Sequence, residues 1–276
     1  MDLLRRMLVS LLTICVSVWV LLGALLYFAQ PGYVYYPSRE LLYTPRDLGL
    51  EYQDLELRTQ DGVLIHGWLV PHAQARVTLL FLHGNGGNIG DRLDFIRIFH
   101  EMGLAVLMLD YRGYGRSEGR PSEEGTYQDA LAAWTALTVD RGIDPRHIVI
   151  YGQSLGGGIA TWLAERVSAG ALILDSSFTS VTDMARHYYP YLPVSLLTRI
   201  RYPSIERVPR IHSPILFIHS KTDEIVPYEL GARLFAAANE PKSFLEIRGG
   251  HNDGFYVSMD TYAKGIAEFL RKHLGN

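Results

Sequence analysis

A short apolar strand followed by the pentapeptide Gly-x-Ser-x-Gly most constrains what this chain can fold into. Ile148–Tyr151 is continuously apolar, and Gly152-Gln153-Ser154-Leu155-Gly156 follows it directly. Small residues then open a predicted helix, and in this strand–turn–helix context the pentapeptide predicts a nucleophile elbow. Such a turn holds the serine at a strained backbone angle, so only glycine is expected two residues before and two after it. A serine in an ordinary glycine-rich turn is the alternative interpretation.

The other apolar segments predict an α/β fold with a mostly parallel central sheet and helices on both faces. Continuous apolar runs, typical of strands buried on both faces, alternate with segments of helical periodicity. The first strands differ, because residues 55–69 alternate in polarity around Asp61-Gly62, which predicts a hairpin. The later predicted strands are Val77–Leu82, Ala105–Leu109, Ile148–Tyr151, Ala171–Leu174, Ile215–His219 and Ser243–Ile247. The predicted helices are Asp91–Met102, Thr126–Val139, Leu155–Ala164, Glu229–Ala238 and Thr261–Leu274.

Three regions organise the chain: an anchor over residues 1–30, a tether over 31–50 and one folded domain over 51–276. Within the domain, the alternation of strands and helices breaks at about residues 178–213, a proline-containing stretch of about 35 residues. Connections of that length are usually functional. We therefore expect this insertion to form a small helical cap over the site.

The amino-terminal segment Met7–Phe28 is apolar and carries no charge. Its length of about 22 residues suffices to cross a bilayer core of about 30 Å, whereas a signal-peptide core runs about 7–15 residues. The segment therefore predicts a retained single-pass transmembrane helix, with a cleaved signal peptide and secretion as the alternative. Arg5 and Arg6 favour a cytoplasmic amino terminus. That orientation would put the domain on the far, periplasmic or extracytoplasmic side.

Composition argues against several other classes of function. The formal net charge is −3, so no basic excess points to nucleic acid. The sequence has no P-loop pattern, no His-Glu-x-x-His pair and no cysteine cluster, and its single cysteine, Cys15, lies in the anchor. We therefore expect no cofactor, no metal ion and no nucleic-acid partner. The oligomeric state is open at this point.

Four polar loops follow predicted strands at the sheet edge where ligands gather in such folds. They are His83–Asn88 (the oxyanion loop), the elbow at Ser154, the turn that holds Asp223, and the loop Gly249–Asp253 around His251. The chain order of serine, aspartate and histidine is that of one known Ser-His-Asp arrangement. The loops are thus expected to converge on one site.

The predicted catalytic residues are Ser154, His251 and Asp223. A serine hydroxyl is a weak nucleophile and needs a base within hydrogen-bond reach. Histidine can take that proton at neutral pH and return it to the leaving group, while a carboxylate fixes the tautomer of the histidine. The developing oxyanion needs preorganised donors, and we assign this role to the backbone N–H groups of Leu155 and Asn85.

Other acids and one other histidine compete for these roles. Asp175 also ends a predicted strand and is the alternative acid. Asp110 is expected to brace the turn that follows it, and Asp253 to bond within its own loop. His219 ends a strand but precedes Asp223 in the same turn, so we expect it to be structural.

These motifs together resemble those of membrane-anchored α/β-hydrolase superfamily proteins, in the branch that includes serine-aminopeptidase-like and depalmitoylase-like members. The resemblance spans residues 35–274 and implies the α/β-hydrolase fold and its triad, but not the substrate. One departure is Ser220-Lys221-Thr222 before the acid, where relatives usually carry a glycine. The motifs that carry the resemblance are His83–Asn85, Asp110–Ser117, Gly152–Gly157, Asp223–Pro227 and Gly250–Asn252.

The predicted function is that of a serine hydrolase that cleaves carboxylic ester or thioester bonds through an acyl-enzyme on Ser154. The expected substrate is a small-molecule or lipid-like acyl compound, because the chain is anchored in a membrane. Aromatic residues of the cap, such as Tyr188 and Tyr202, indicate either an apolar acyl pocket or the core of the cap. An aminopeptidase-like serine peptidase is the first alternative, with Glu206 holding the substrate amine. A non-catalytic membrane-anchored scaffold is the second.

Overall fold

The central sheet contains eight strands, and a separate two-stranded sheet lies beside it. The computed structural model describes residues 2–275. In those residues the strands are β1 (Tyr36–Pro37), β2 (Gln53–Arg58), β3 (Leu64–Val70), β4 (Thr78–Leu82), β5 (Gly86–Gly87), β6 (Ala105–Leu109), β7 (Ile148–Gln153), β8 (Ala171–Asp175), β9 (Ile215–Ser220) and β10 (Lys242–Ile247).

The strand order is β10-β9-β8-β7-β4-β6-β3-β2, and β3 alone runs antiparallel to its two neighbours, β2 and β6. The hairpin turns at Asp61-Gly62 as predicted. Strands β4, β7 and β8 are buried along their whole length, because apolar runs of this kind need cover on both faces. The prediction of a mostly parallel sheet is confirmed. Its parallel strands bring the ends of β4, β7, β9 and β10 to one edge.

Helices cover both faces of the sheet and bury two apolar clusters against it. The helices are α1 (Asp2–Val34), α2 (Leu93–Glu101), α3 (Glu123–Thr135), α4 (Leu155–Ala164), α5 (Val181–Tyr188), α6 (Val194–Leu197), α7 (Ser204–Arg207), α8 (Tyr228–Ala237), α9 (Gly254–Val257) and α10 (Met259–Leu274). Helices α3, α4 and α8 pack on one face, and α2 and α10 pack on the other.

The insertion after β8 folds into the short helices α5, α6 and α7, so its helical character is as predicted. Its expected position over the site is not seen, because no residue of the insertion lines the cavity at Ser154. Its end is fixed to the body of the domain by Glu123, whose carboxylate accepts hydrogen bonds from the backbone N–H groups of Arg201 (2.6 Å) and Tyr202 (2.9 Å). Tyr202 is fully buried, and its hydroxyl lies 2.8 Å from that of Tyr35. This tyrosine therefore belongs to the core.

Helix α1 is long and apolar enough to cross a membrane, with a mean hydropathy of 2.5 and no buried residue in its most apolar window. It continues to Val34, beyond residue 30 where the anchor was expected to end. Near its end the side chain of Gln30 bonds to the cap: its amide donates to Leu197 O (2.6 Å) and accepts from Arg199 N (2.8 Å). The helix and the cap are thus in contact.

Candidate active site

Ser154 occupies the turn between β7 and α4, with φ 51° and ψ −117°. A residue other than glycine in this region stores roughly 1–3 kcal/mol of strain. A Cβ atom on Gly156 would lie 2.0 Å from Leu82 O, and one on Gly152 would lie 2.6 Å from Gly156 O. Only glycine fits at either position, which confirms the expectation for the turn.

The structure brings the three predicted catalytic side chains together. His251 Nε2 lies 3.0 Å from Ser154 Oγ, and His251 Nδ1 lies 2.8 Å from Asp223 Oδ2. The side chain of His251 is 7% exposed and that of Asp223 is fully buried. Because a carboxylate near neutral pH only accepts, the Nδ1 atom carries the proton and the Nε2 lone pair faces the serine. That tautomer is the one a general base requires.

Asp223 is held by donors on both of its oxygens. Its Oδ1 accepts from the backbone N–H groups of Ile225 (2.9 Å) and Val226 (2.7 Å), and His219 Nε2 lies 3.4 Å from its Oδ2. Burial alone would raise the pKa of Asp223, but hydrogen bonds from His219 and His251 outweigh burial and lower that pKa. The carboxylate is therefore ionised at neutral pH. His219 supports the acid, as its expected structural role implied.

The residues that replace the usual glycine before Asp223 connect the acid turn to the histidine loop. The hydroxyls of Ser220 (2.5 Å) and Thr222 (2.9 Å) both donate to Gly249 O. Within the histidine loop, Asp253 Oδ1 accepts from Gly250 N (2.6 Å), the local bond expected of it. The departure from the family pattern thus adds bonds between two loops of the site.

Asp175, the alternative acid, lies at the end of β8 and is occupied by other donors. Tyr151 and Tyr262 donate their hydroxyls to its Oδ2, the latter at 3.0 Å. Burial raises the pKa of Asp175 although these hydrogen bonds oppose the rise. Since Nδ1 of His251 faces Asp223, the geometry favours Asp223 as the acid.

Asp110 lies below the oxyanion loop and accepts from Ile89 N (2.9 Å), which braces the following chain. Its Oδ1 is 3.8 Å from His83 Nε2, and both side chains are fully buried. Burial raises the pKa of Asp110 to about 7 and lowers the pKa of His83 to about 3. Near pH 6 the folded protein therefore holds this pair with both members neutral.

The two predicted oxyanion donors flank the serine. Leu155 is the first residue of α4, and the first N–H groups of a helix have no partner within it. The carbonyl of Asn85, in the peptide unit that follows its N–H, accepts from Tyr36 N (3.0 Å) and Tyr114 Oη (2.7 Å). The side chain of Asn85 donates to Val34 O at 3.0 Å.

The segment after helix α1 supports the oxyanion loop, a role that the sequence did not predict. Strand β1 pairs in parallel with β5, which lies within that loop. Beyond the strand, Ser38 N donates to Gly87 O (3.0 Å), and Glu40 O accepts from the Asn88 side chain (2.6 Å). The predicted tether is thus bonded to the site along several residues.

A cavity of about 490 Å³, here the serine cavity, opens above Ser154. Its lining includes Asp91, Arg92 and Asp94, which the sequence placed only at the start of a helix. Arg92 Nη2 donates to Gly86 O at 2.8 Å and so holds the oxyanion loop. The cavity is thus predominantly polar and contains both signs of charge.

Glu206, the residue predicted to hold a substrate amine in a peptidase, does not line this cavity. Its carboxylate lies 2.9 Å from Arg201 Nη2, and its side chain is 54% exposed. The prediction for Glu206 is therefore wrong, because α7 presents the residue to solvent. Within residues 2–275, no group of three or more His, Cys, Asp and Glu side chains is arranged to hold a metal ion.

A parallel sheet with a strained serine after its central strand defines an α/β hydrolase. The sequence model of the α/β-hydrolase fold matches residues 77–196. The chain is 35% identical to the α/β hydrolase domain-containing protein WAV2 of Arabidopsis thaliana, over 91% of this chain and 90% of that protein. It is 36% identical to protein bem46 of Schizosaccharomyces pombe, over 86% of this chain and 82% of that protein. The chain belongs to the α/β-hydrolase family.

A solved structure shares the fold at lower sequence similarity. An esterase of Pyrococcus furiosus superposes with a TM-score of 0.75 at 22% identity, over 88% of this chain and 99% of that one. At this identity the likeness concerns the fold alone.

Proposed function

We propose that the protein is a serine hydrolase that cleaves carboxylic ester or thioester bonds through an acyl-enzyme on Ser154. The observation that carries the proposal is the continuous chain of contacts from Ser154 Oγ through His251 to the buried Asp223, at 3.0 Å and 2.8 Å. A scaffold would have no need of an imidazole aligned between a strained serine and an ionised carboxylate.

In the proposed reaction, Ser154 Oγ attacks the substrate carbonyl carbon while its proton passes to His251 Nε2. The oxyanion accepts hydrogen bonds from the N–H groups of Leu155 and Asn85. Collapse of this intermediate breaks the bond to the alcohol or thiol, which leaves with the proton from His251. Water then attacks the acyl-enzyme, with His251 as base, and releases the carboxylic acid and the free serine.

Labelling by a fluorophosphonate probe tests the nucleophile. The wild-type protein should be labelled stoichiometrically, and Ser154→Ala should not be labelled at all. Ser176→Ala is the matched control, because Ser176 also follows a strand with a positive φ of 49° but lies outside the proposed triad. Labelling of Ser154→Ala at the wild-type level would overturn the assignment.

Amide hydrolysis is the second candidate, and one observation favours it. Asp91 and Asp94 line the serine cavity, where an acidic group could hold a substrate amine. Purified protein should be compared on p-nitrophenyl esters, acyl thioesters and aminoacyl-p-nitroanilides. The ester proposal expects far lower turnover on the anilides, and equal turnover would favour a peptidase.

We also propose that helix α1 is retained as a single-pass membrane anchor with its amino terminus in the cytoplasm. Its length and its contact with the cap through Gln30 support retention over cleavage, while Arg5 and Arg6 support the orientation. A reporter fused to the carboxyl terminus should be active only on the far side of the membrane. Activity in the cytoplasm would reverse the orientation.

A further inference from the structure

A second cavity, here the anchor groove, lies between helix α1 and the cap. Its volume is about 470 Å³, within the range of small-molecule sites. Helix α1 contributes Leu26 and Val34, and the cap contributes Val181, Met184 and Leu197. Most of the lining is apolar and none of it is charged, although Gln30, Thr198 and four tyrosines also line the groove. The serine cavity, in contrast, has charged residues in its lining.

Two residues connect the walls of the two cavities. Tyr188 lines the groove and donates its hydroxyl to the carbonyl of Ile225 at 2.6 Å, and Ile225 lines the serine cavity. Tyr36 also lines the groove, and its N–H donates to the carbonyl of Asn85 at 3.0 Å. A ligand in the groove would therefore lie one residue layer from the proposed site of reaction.

The outer side of the groove is continuous with the segment that we propose to cross the membrane. A Cβ atom built on Gly23 of helix α1 would lie 3.4 Å from Leu197 Cδ2 in the cap. The cap also exposes large apolar side chains: Tyr191 is 93% exposed, and Leu196, which precedes Leu197 in the chain, is 82% exposed. Because the helix that we propose to cross the membrane forms one wall, the bilayer around it would be the nearest source of an apolar ligand for the groove.

We propose that the anchor groove binds the fatty-acyl chain of an ester embedded in the bilayer, which enters sideways between helix α1 and the cap. For the carbonyl of the ester to reach Ser154, the acyl chain must pass between the residues that join the two cavities, Tyr188 with Ile225 and Tyr36 with Asn85. The polar leaving group would then lie in the serine cavity. This inference rests on the proposed hydrolase function and adds the substrate class. An apolar groove beside a polar cavity matches an amphiphile that has one long chain.

Binding in the groove predicts a dependence on chain length. Burial of one methylene stabilises by about 0.8 kcal/mol, which corresponds to roughly a fourfold gain in kcat/KM for each carbon that enters the groove. The gain should end when the groove is full. A chain that stays in water during the reaction gives no such gain.

The test uses the full-length protein in phosphatidylcholine nanodiscs, with p-nitrophenyl acetate, butyrate, laurate and palmitate as substrates. Leu26→Trp fills the groove from helix α1, outside the folded domain, so it leaves the fold of that domain intact. Leu25→Trp is the matched control, because Leu25 is adjacent but 62% exposed and does not line the groove. We expect Leu26→Trp to lose at least about tenfold on laurate and palmitate. Acetate turnover should stay the same in both variants.

A second pair of variants approaches the groove from the cap. Ala185→Phe lies in the lining, whereas Arg186→Phe, on the same helix, points to solvent. Equal chain-length profiles in wild type, Leu26→Trp and Ala185→Phe would overturn the inference. If Ser154 is labelled and acetate is hydrolysed in that case, the proposed function stands without the groove. If neither occurs, both proposals fail.

Discussion

The serine cavity and the anchor groove have similar volumes, about 490 Å³ and about 470 Å³, but they are built in opposite ways. The walls of the serine cavity are loops at strand ends, and hydrogen bonds join each loop to the next, as Ser220 and Thr222 do with Gly249. The walls of the groove are mostly apolar side chains from helix α1 and the cap. Only a few polar contacts, such as that of Gln30, join these two walls.

Under the two proposals, this difference would separate the geometry of the reaction from the choice of substrate. A general base must lie within about 0.5 Å of its productive position, which loops fixed by several hydrogen bonds can ensure. An apolar chain needs only a surface of suitable shape, because the hydrophobic effect has no direction. Substitutions in the two regions should therefore differ in kind: those at the serine cavity change turnover for every substrate, and those at the groove change it for long chains.

The largest effect is expected from the acid. Asp223→Asn should lower kcat by about 10⁴-fold on short and long esters alike, because an amide stabilises the wrong tautomer of His251. Asp175→Asn should cause no comparable loss, because the Asp175 carboxylate bonds to Tyr151 and Tyr262. Steady-state kinetics of both variants check this. If Asp175→Asn alone abolished turnover, the acid would be on β8.

A smaller effect is expected on the pH dependence of the free energy of unfolding, through the buried pair Asp110 and His83. The pKa of Asp110 is about 7 in the folded protein and about 4 in the unfolded chain. Taken alone, Asp110 would therefore lower the free energy of unfolding as pH rises between these values. The pKa of His83 is about 3 in the folded protein and about 6.5 in the unfolded chain. Taken alone, His83 would therefore raise the free energy of unfolding as pH rises over nearly the same range. In the wild type these two contributions cancel.

Asp110→Asn should expose the contribution of His83. Relative to wild type, its free energy of unfolding should rise by up to about 3 kcal/mol between about pH 4 and about pH 6. Urea unfolding at several pH values measures this difference. A difference that is constant with pH would mean that Asp110 is ionised in the folded protein. Chain-length preference should not change in this variant, since the pair does not line the groove.

The smallest effect is expected where the two regions meet. Asn85→Ala keeps the backbone N–H but removes the side-chain bond to Val34 at the end of helix α1. A neutral hydrogen bond contributes about 1 kcal/mol, so kcat should fall about fivefold while KM stays near its wild-type value. A loss of 10²-fold or more would instead indicate that the backbone donor itself is displaced. Short esters suit this measurement because they bypass the groove.

Local patterns predicted the part of the molecule that the sheet organises. Apolar runs identified β4, β6 and β7 to within one or two residues, because burial on both faces leaves a continuous signal. Loops at the ends of such strands must meet at one edge, so Ser154, Asp223 and His251 could be grouped before any distance was known. The structure places these three side chains in contact.

Other features depend on contacts that no local pattern encodes. Strand β1 has only two residues, too few for periodicity, and its partner lies about fifty residues away. The anchor groove joins Leu26 to Met184, and neither segment shows a pocket by itself. The sequence does not reveal that Glu206 pairs with Arg201 and so lies away from the serine cavity. The bond from Arg92 to the oxyanion loop is likewise not predictable, because the sequence around Arg92 resembles an ordinary helix start.

Helix α1 ends at Val34, and a single residue, Tyr35, separates it from β1. The carbonyl of Val34 accepts a hydrogen bond from the side-chain amide of Asn85. A transmembrane helix responds to the thickness of the surrounding bilayer by tilting, at modest energetic cost. If helix α1 crosses a membrane as proposed, such a tilt would act on the side-chain bond of Asn85, the residue whose backbone N–H is assigned to the oxyanion. Under the proposed anchoring, the thickness of the host membrane would then influence the rate. A version cut at residue 39 would lose that sensitivity together with the pairing of β1 with β5, and would keep only the bond of Asn88 to Glu40 O.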